Sequence, residues 1–375
     1  MYGFDEKRLE QIDRHARKRV EAEKMLGACS AVIRGGQIVK ISYEGYARMD
    51  KTPLQPGAIF RLASMSKPIT AVAIMIQSER GELKITDPVG KYLPEFQQMY
   101  LYDGTPAHPV EIRHLLSHSS GIGQDAFGVS EQERVMPKEG ETLADVMERY
   151  GKTRLPFLPG ARASYSGLMG FDILARVVEV TSGMKFSDFL QENIFDPLGM
   201  KDTTFHPTPE QKARIVELCV QENGKLKGVP LDNNFEDLPD SYEAGSAALL
   251  GTLEDYTRFV RMLLGKGKLD GVRILSPRTV EQMGSPALPY EVPGSGKEMA
   301  WGLGMRVILH LNGYSAPLSV GTFGWSGAYG THFFVDPTLD VAAVYMSNRA
   351  DAGGAGADTA FEFENDVISA LTGDD

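Results

Sequence analysis

The chain has 375 residues, of which 42% are hydrophobic and 24% charged, and its formal net charge is −11. This composition is typical of an ordinary globular protein and excludes disordered and fibrous classes, while the length predicts either two to three domains or one large enzyme. An acidic chain is a poor partner for nucleic acid or anionic membranes, because both require a basic surface.

Cysteine use and the N-terminal segment bear on metal binding and location. Cys29 and Cys219 have no metal-ligand spacing; two free thiols are favoured, and a disulfide stays possible. Residues 1–8 lack the apolar core of a signal peptide, and no apolar run reaches the ~18–20 residues of a membrane span. We therefore expect a cytoplasmic protein without membrane attachment.

The N-terminal part predicts a helix, a β-hairpin and a second helix. Residues 5–24 are amphipathic, and two strand-like segments, 28–34 and 37–43, flank the hairpin signal Gly35-Gly36. A further helix is expected to begin near Ala63 and to end near Gly81. Its residues are apolar on almost every side, which predicts a central, buried position.

The rest of the chain changes from helical to strand patterns. Helices are predicted at 111–118, 142–150, 168–180, 186–195 and 253–264. Beyond them follow strands at 301–309, 329–335 and 340–346, and a last helix at 358–372.

This order predicts an α+β fold with a central antiparallel sheet, flanked by N- and C-terminal helices, and an inserted, mainly helical domain. We assign residues 1–85 and 291–375 to the sheet domain and residues 86–290 to the helical domain. The active site is expected in the cleft between them.

Ser64 and Lys67 are the strongest candidates for chemistry. They lie three residues apart at the start of the buried helix, which brings both side chains to one helix face. A serine hydroxyl becomes a nucleophile when a neighbouring group takes its proton. Since Lys67 precedes an apolar helix, its ammonium is not expected to be simply solvated.

A wider set of segments resembles the serine β-lactamase and penicillin-binding-protein superfamily. The resemblance is strongest to the class C β-lactamase branch, which includes the family VIII carboxylesterases. It implies a β-lactamase-like fold and an acyl-enzyme on Ser64. The matching segments are 60–67, 85–89, 111–121, 159–166, 194–200 and 301–304.

The second box of that family is Tyr-x-Asn, and Tyr165-Ser166-Gly167 is found there. The resemblance implies that Tyr165 passes the Ser64 proton to the leaving group, first as general base and then as general acid. Gly167 departs from the family pattern, because the asparagine normally present binds an amide of the substrate and glycine cannot.

The third box is normally Lys-Thr-Gly on an edge strand, and here Trp325-Ser326-Gly327 replaces it. These three residues are expected to bind substrate together with Gly167. The resemblance implies an oxyanion hole formed by the backbone N–H groups of Ser64 and Ala328. Trp325 replaces a cation with an apolar wall suited to an uncharged ester.

We therefore expect a carboxylesterase acting on short-chain or uncharged small-molecule esters. A β-lactamase or D-amino-acid peptidase, a slowly deacylating penicillin-binding sensor, and an acyltransferase remain alternatives. No metal, organic cofactor, nucleic acid or membrane is expected to take part, and oligomeric state is open. His114 and His118 lie four residues apart, but they lack an evident third ligand for zinc.

Overall fold

The computed structural model describes residues 2–123, 135–229, 238–288, 299–311, 316–354 and 357–373. Thirteen strands are found in these ranges. They are β1 Gly27–Arg34, β2 Gln37–Gly45, β3 Ile59–Arg61, β4 Leu218–Glu222, β5 Lys225–Val229, β6 Leu250–Thr252, β7 Lys268–Leu269, β8 Val272–Arg273, β9 Met299–Trp301, β10 Arg306–Ile308, β11 Phe323–Gly327, β12 Thr331–Asp336 and β13 Val341–Ser347.

The α-helices are concentrated between the N- and C-terminal strands. Short 3₁₀ or π turns are also present at Ala63–Met65, Val89–Lys91, Pro94–Phe96 and Gln191–Phe195. The described α-helices are α1 Glu6–Glu21, α2 Ser66–Glu79, α3 Ile112–Leu116, α4 Leu143–Gly151, α5 Met169–Ser182, α6 Phe186–Leu190, α7 Asp196–Leu198, α8 Pro209–Arg214, α9 Leu253–Leu264, α10 Pro277–Met283 and α11 Asp358–Ser369.

Seven strands form the central antiparallel sheet in the order β2-β1-β13-β12-β11-β10-β9. Strands from both ends of the chain meet where β1 pairs with β13, with Ala31 opposite Val344. The predicted fold class, a central antiparallel sheet flanked by terminal helices, is therefore confirmed.

The two faces of the sheet are covered by different helices, as the alternation of side chains along a strand requires. Phe333 contacts Tyr256 of α9, with ring centroids 5.4 Å apart. The next residue, Phe334, contacts Phe363 of α11. Helix α1 packs beside α11 against β1 and β2.

Helix α2 lies between the sheet and the helical part of the chain. Twelve of its fourteen residues are buried, from Ser66 to Gln77, and it packs along α5. Its central position agrees with the prediction from its apolar sequence. Helix α9, within the predicted helical segment 86–290, packs on the sheet instead, and the domain boundaries near residues 85 and 290 stay predictions.

Two details of the strand prediction were wrong. The strand expected at 301–309 is interrupted, because the chain turns at Gly302–Met305 and the flanking strands β9 and β10 pair with each other. Gly304 has a φ of 85°, which favours glycine. The hairpin of β4 and β5 went unpredicted, although its turn contains Asn223-Gly224, a common hairpin signal.

Other expectations have mixed outcomes. Cys29 and Cys219 are free thiols. In the described part of the chain, no helix is both long and apolar enough to cross a membrane. Cytoplasmic location stays a prediction. The segments 122–141 and 206–242 fall partly outside the described residues.

Candidate active site

Ser64 lies in a tight turn that leads into α2. The turn Ala63–Met65 is a 3₁₀ helix, and Ala63 has a φ of 48°, an uncommon left-handed conformation for a residue with a β-carbon. Strain of this kind is often found at functional sites. Because Ser64 is the second residue of the helical turn, its backbone N–H points away from the helix body without an intrahelical acceptor.

Lys67 is completely buried and makes three hydrogen bonds through its ammonium group. Nζ donates to Ser64 Oγ at 3.2 Å, to the Gly167 carbonyl at 2.6 Å and to the Ser246 carbonyl at 2.9 Å. An ammonium has three N–H donors and no acceptor. The three acceptors therefore match the charged form of lysine and fix its position beside Ser64.

Tyr165, which lies 101 residues further along the chain, also contacts Ser64. Its phenol donates a hydrogen bond to Ser64 Oγ at 2.7 Å. Lys67 Nζ is 5.1 Å from the centroid of the Tyr165 ring. The structure thus brings together the three residues that the sequence singled out as catalytic, and it places the Lys67 ammonium close to the Tyr165 ring.

Strand β11 lies beside Ser64, Lys67 and Tyr165, and its Trp325 side chain faces them. Trp325 lies on the same sheet face as Phe333, with its ring 5.3 Å from that of Tyr165 and 4.4 Å from that of Trp301. Only Phe323 and Gly324 of β11 pair with β10. Among the described residues, the segment from Trp325 to Gly327 therefore has a strand partner on one side alone, as an edge strand would.

The end of β11 lies directly against the residues before Ser64. A β-carbon on Gly327 would overlap the Leu62 carbonyl oxygen. Thr331 Oγ also donates to that carbonyl at 3.1 Å. Ala328 is partly buried and directly follows Gly327, which lies against Leu62 and Ala63.

Ser326 differs from its neighbours because its side chain points to the opposite face of the sheet. Its hydroxyl is hydrogen-bonded to His332 Nδ1 at 2.7 Å, and His332 Nε2 lies 3.0 Å from Glu364 of α11. All three residues are buried. Only the backbone of Ser326 can therefore face a substrate. The substrate-binding role predicted for this residue is thus limited to its main-chain N–H and carbonyl groups.

A buried polar group behind Lys67 went unpredicted. Asp172 accepts hydrogen bonds from the Ser246 backbone N–H at 3.1 Å and from Tyr242 at 2.9 Å, and Tyr242 in turn contacts Tyr150. Burial raises the pKa of Asp172 to about 6. The signal available in the sequence was an acidic residue inside the apolar helical segment 168–180.

The described residues contain no group of three or more His, Cys, Asp or Glu side chains placed to hold a metal. His114 Nδ1 accepts the Glu111 backbone N–H at 3.1 Å, and His118 Nδ1 accepts the Ser166 backbone N–H at the same distance. Both histidines thus have structural partners. The absence of metal and cofactor from the reaction stays a prediction.

A serine contacted by a buried lysine and a tyrosine phenol is an arrangement suited to acyl transfer through a serine nucleophile. A family model described as Beta-lactamase matches residues 12–364. The chain therefore belongs to the β-lactamase family and is a hydrolase of the serine β-lactamase and penicillin-binding-protein superfamily, as its motifs predicted.

Individual relatives cover nearly the whole chain. Esterase EstB of Burkholderia gladioli is 30% identical over 363 residues, which are 89% of this chain and 88% of EstB. Protein Rv1367c of Mycobacterium tuberculosis H37Rv is 30% identical over 352 residues, covering 87% and 86%. The structure of EstCE1, described as a hydrolase with promiscuous acyltransferase activity, superposes with a TM-score of 0.84 at 24% identity and 98% coverage of both chains.

Proposed function

We propose that the protein is a carboxylesterase that hydrolyses small, uncharged esters through an acyl-enzyme on Ser64. The observation that carries this proposal is the contact of Ser64 Oγ with both Tyr165 at 2.7 Å and Lys67 at 3.2 Å. These contacts supply a nucleophile, a group that can take its proton, and a fixed positive charge.

In the proposed reaction, Tyr165 first releases its phenolic proton to solvent, so that its oxygen accepts the hydrogen bond from the Ser64 hydroxyl. Ser64 Oγ then attacks the ester carbonyl carbon and its proton passes to the Tyr165 phenolate, while Lys67 stays an ammonium. The backbone N–H groups of Ser64 and Ala328 hold the negative charge that develops on the carbonyl oxygen. The C–O bond to the alcohol then breaks, and Tyr165 returns the proton to the leaving oxygen. A water molecule then attacks the acyl-enzyme carbonyl and gives its proton to Tyr165. The bond to Ser64 Oγ breaks, Tyr165 returns the proton to Ser64, and the acid is released.

The surroundings of Ser64 favour an ester over a β-lactam or a D-amino-acid peptide. Trp325 occupies the position of the cation that pairs with the carboxylate of those substrates in the family pattern, and its ring packs against Trp301 and Tyr165. Gly167 has no side chain to bind a substrate amide, and its carbonyl is engaged by Lys67. The carboxylate of such a substrate would thus lack its cation, and its amide would lack the asparagine side chain. Both losses cost binding energy. The esterase relative EstB agrees with this preference.

The test measures turnover of p-nitrophenyl butyrate and of benzylpenicillin by the same preparation, with Ser64→Ala as the control. We expect ester hydrolysis that depends on Ser64, with kcat/KM for penicillin lower by about 100-fold or more. Comparable turnover of penicillin would instead assign a β-lactamase. A stable penicilloyl adduct without ester turnover would assign a penicillin-binding sensor, and acceleration by added alcohol with ester as product would assign an acyltransferase.

A further inference from the structure

His118 connects the segment that carries Tyr165 to the end of α3. It follows α3 in a tight turn, has a φ of 53°, and is completely buried. Its own backbone N–H bonds to the Leu115 carbonyl, and the N–H of Ser119 bonds to the His114 carbonyl at 2.7 Å. The turn that carries His118 is therefore held firmly at the end of the helix.

Both peptide N–H groups that flank Tyr165 donate to His118. The N–H of Ser164 donates to the His118 carbonyl at 2.8 Å, and the N–H of Ser166 donates to the imidazole Nδ1 at 3.1 Å. The rings of His118 and Tyr165 also contact each other, with centroids 4.6 Å apart. One residue thus fixes the backbone before and after the phenol, as well as one face of its ring.

We infer that His118 is the positioning residue for Tyr165, and that its imidazole holds the phenol in line with Ser64 Oγ without touching the substrate. The inference rests on the proposed function, in which Tyr165 moves the proton of Ser64.

The role requires Nδ1 to be an acceptor, so the neutral imidazole must carry its hydrogen on Nε2. The site favours this form, because burial, and then the charge of Lys67, hold the pKa of His118 well below its usual value. The neighbouring rings are those of Tyr165, Phe171 and Trp301. In the described part of the chain, Nε2 has no hydrogen-bond partner and lies within this aromatic group.

The contact is expected to matter because Ser166 is buried, and a buried N–H without an acceptor carries a desolvation cost. Loss of the imidazole acceptor would therefore move the Ser166 peptide toward another partner and rotate the adjacent phenol away from Ser64. A displacement of about 1 Å in a reacting group can lower a rate about 100-fold.

The experiment compares His118→Asn with His118→Leu. The two replacements have nearly the same shape, but only asparagine carries an acceptor close to the position of Nδ1. We expect His118→Leu to lower kcat for p-nitrophenyl butyrate about 100-fold with KM changed less than about threefold. We expect His118→Asn to keep kcat within about fivefold of wild type. Equal losses in the two variants would overturn the inference.

A double-mutant cycle separates positioning from general damage. If His118 acts through Tyr165, His118→Leu should change kcat less than about twofold in a Tyr165→Phe background, whereas additive losses would contradict the inference. Should the leucine variant fail to fold, His118→Gln, whose acceptor lies one methylene further out, replaces it in the same comparison. Full activity of Ser64→Ala would refute the proposed function itself, whatever the His118 variants show.

Discussion

Lys67 and Asp172 are joined through a single residue, Ser246, whose carbonyl accepts a hydrogen bond from Lys67 and whose N–H donates one to Asp172. All three residues are buried. A buried cation next to the proposed nucleophile is thus linked to a buried carboxyl group from another helix. The link provides Lys67 with both a fixed geometry and a compensating negative charge.

Asp172→Asn is expected to lower kcat about tenfold, because the negative charge that compensates the buried Lys67 ammonium is lost, while the amide keeps the shape of the carboxyl group and one oxygen to accept the Ser246 N–H. The same substitution should keep or raise the stability of the fold, although it lowers kcat. Because burial raises the folded-state pKa of Asp172 to about 6, the folded chain binds more protons than the unfolded chain between about pH 4 and 6. Ionisation of Asp172 therefore lowers stability as pH rises through that window.

Steady-state kinetics and thermal unfolding at pH 8 test both parts of this prediction. The variant should unfold at a temperature equal to or above that of wild type while its kcat is reduced. A large loss of melting temperature together with unchanged kcat would show that Asp172 serves the fold alone.

Gly327→Ala is expected to lower activity about 100-fold, because the added methyl group would overlap the Leu62 carbonyl oxygen and would push β11 away from the Ser64 turn. Gly140→Ala is the matched control. Gly140 has a φ of 80°, and an added methyl group there would meet no other atom within 4 Å, so its replacement should cost about 1 kcal/mol of stability and leave kcat unchanged. Similar activities for the two variants would contradict the close approach of β11 to Ser64.

The contribution of His114 to stability should decrease as pH falls from about 6.5 to 4, opposite in sign to the contribution of Asp172. Burial lowers the pKa of His114 to about 4, whereas an unfolded histidine titrates near 6.5. Between these values the unfolded chain binds more protons, so the free energy of unfolding declines as pH drops. His114→Asn keeps an acceptor for Glu111 and removes the titration. Its melting temperature should fall less between pH 7 and 4.5 than that of wild type, and identical curves would refute this assignment.

Glu364→Gln is expected to destabilise the fold by about 3 kcal/mol, because it removes the negative charge beside the buried Arg306 guanidinium. Adding Arg306→Met should recover most of the loss, since an apolar side chain does not require a counter-charge. Urea unfolding of the two single variants and the double variant measures this coupling. Additive losses would show that the pair contributes no mutual interaction.

The antiparallel sheet and most of its helices could be predicted from local periodicity, since a segment such as 28–34 carries its strand signal alone. The meeting of Ser64, Lys67 and Tyr165 could be anticipated from motifs, although Tyr165 is 101 residues from Ser64. Contacts that depend on packing between distant segments could not be predicted from the sequence. Asp172 and His118 act through residues from other segments. The direction of the Ser326 side chain, toward His332 and away from Ser64, follows from strand register, which no short pattern specifies.

The most direct test of the account is the intact mass of the protein, quenched with acid during turnover of p-nitrophenyl butyrate. We predict a population heavier by one butyryl group, with the modification mapped to Ser64 after digestion and absent from Ser64→Ala. Hydrolysis that continues without such an adduct in the Ser64→Ala variant, or an adduct on a different residue, would contradict an acyl-enzyme on Ser64.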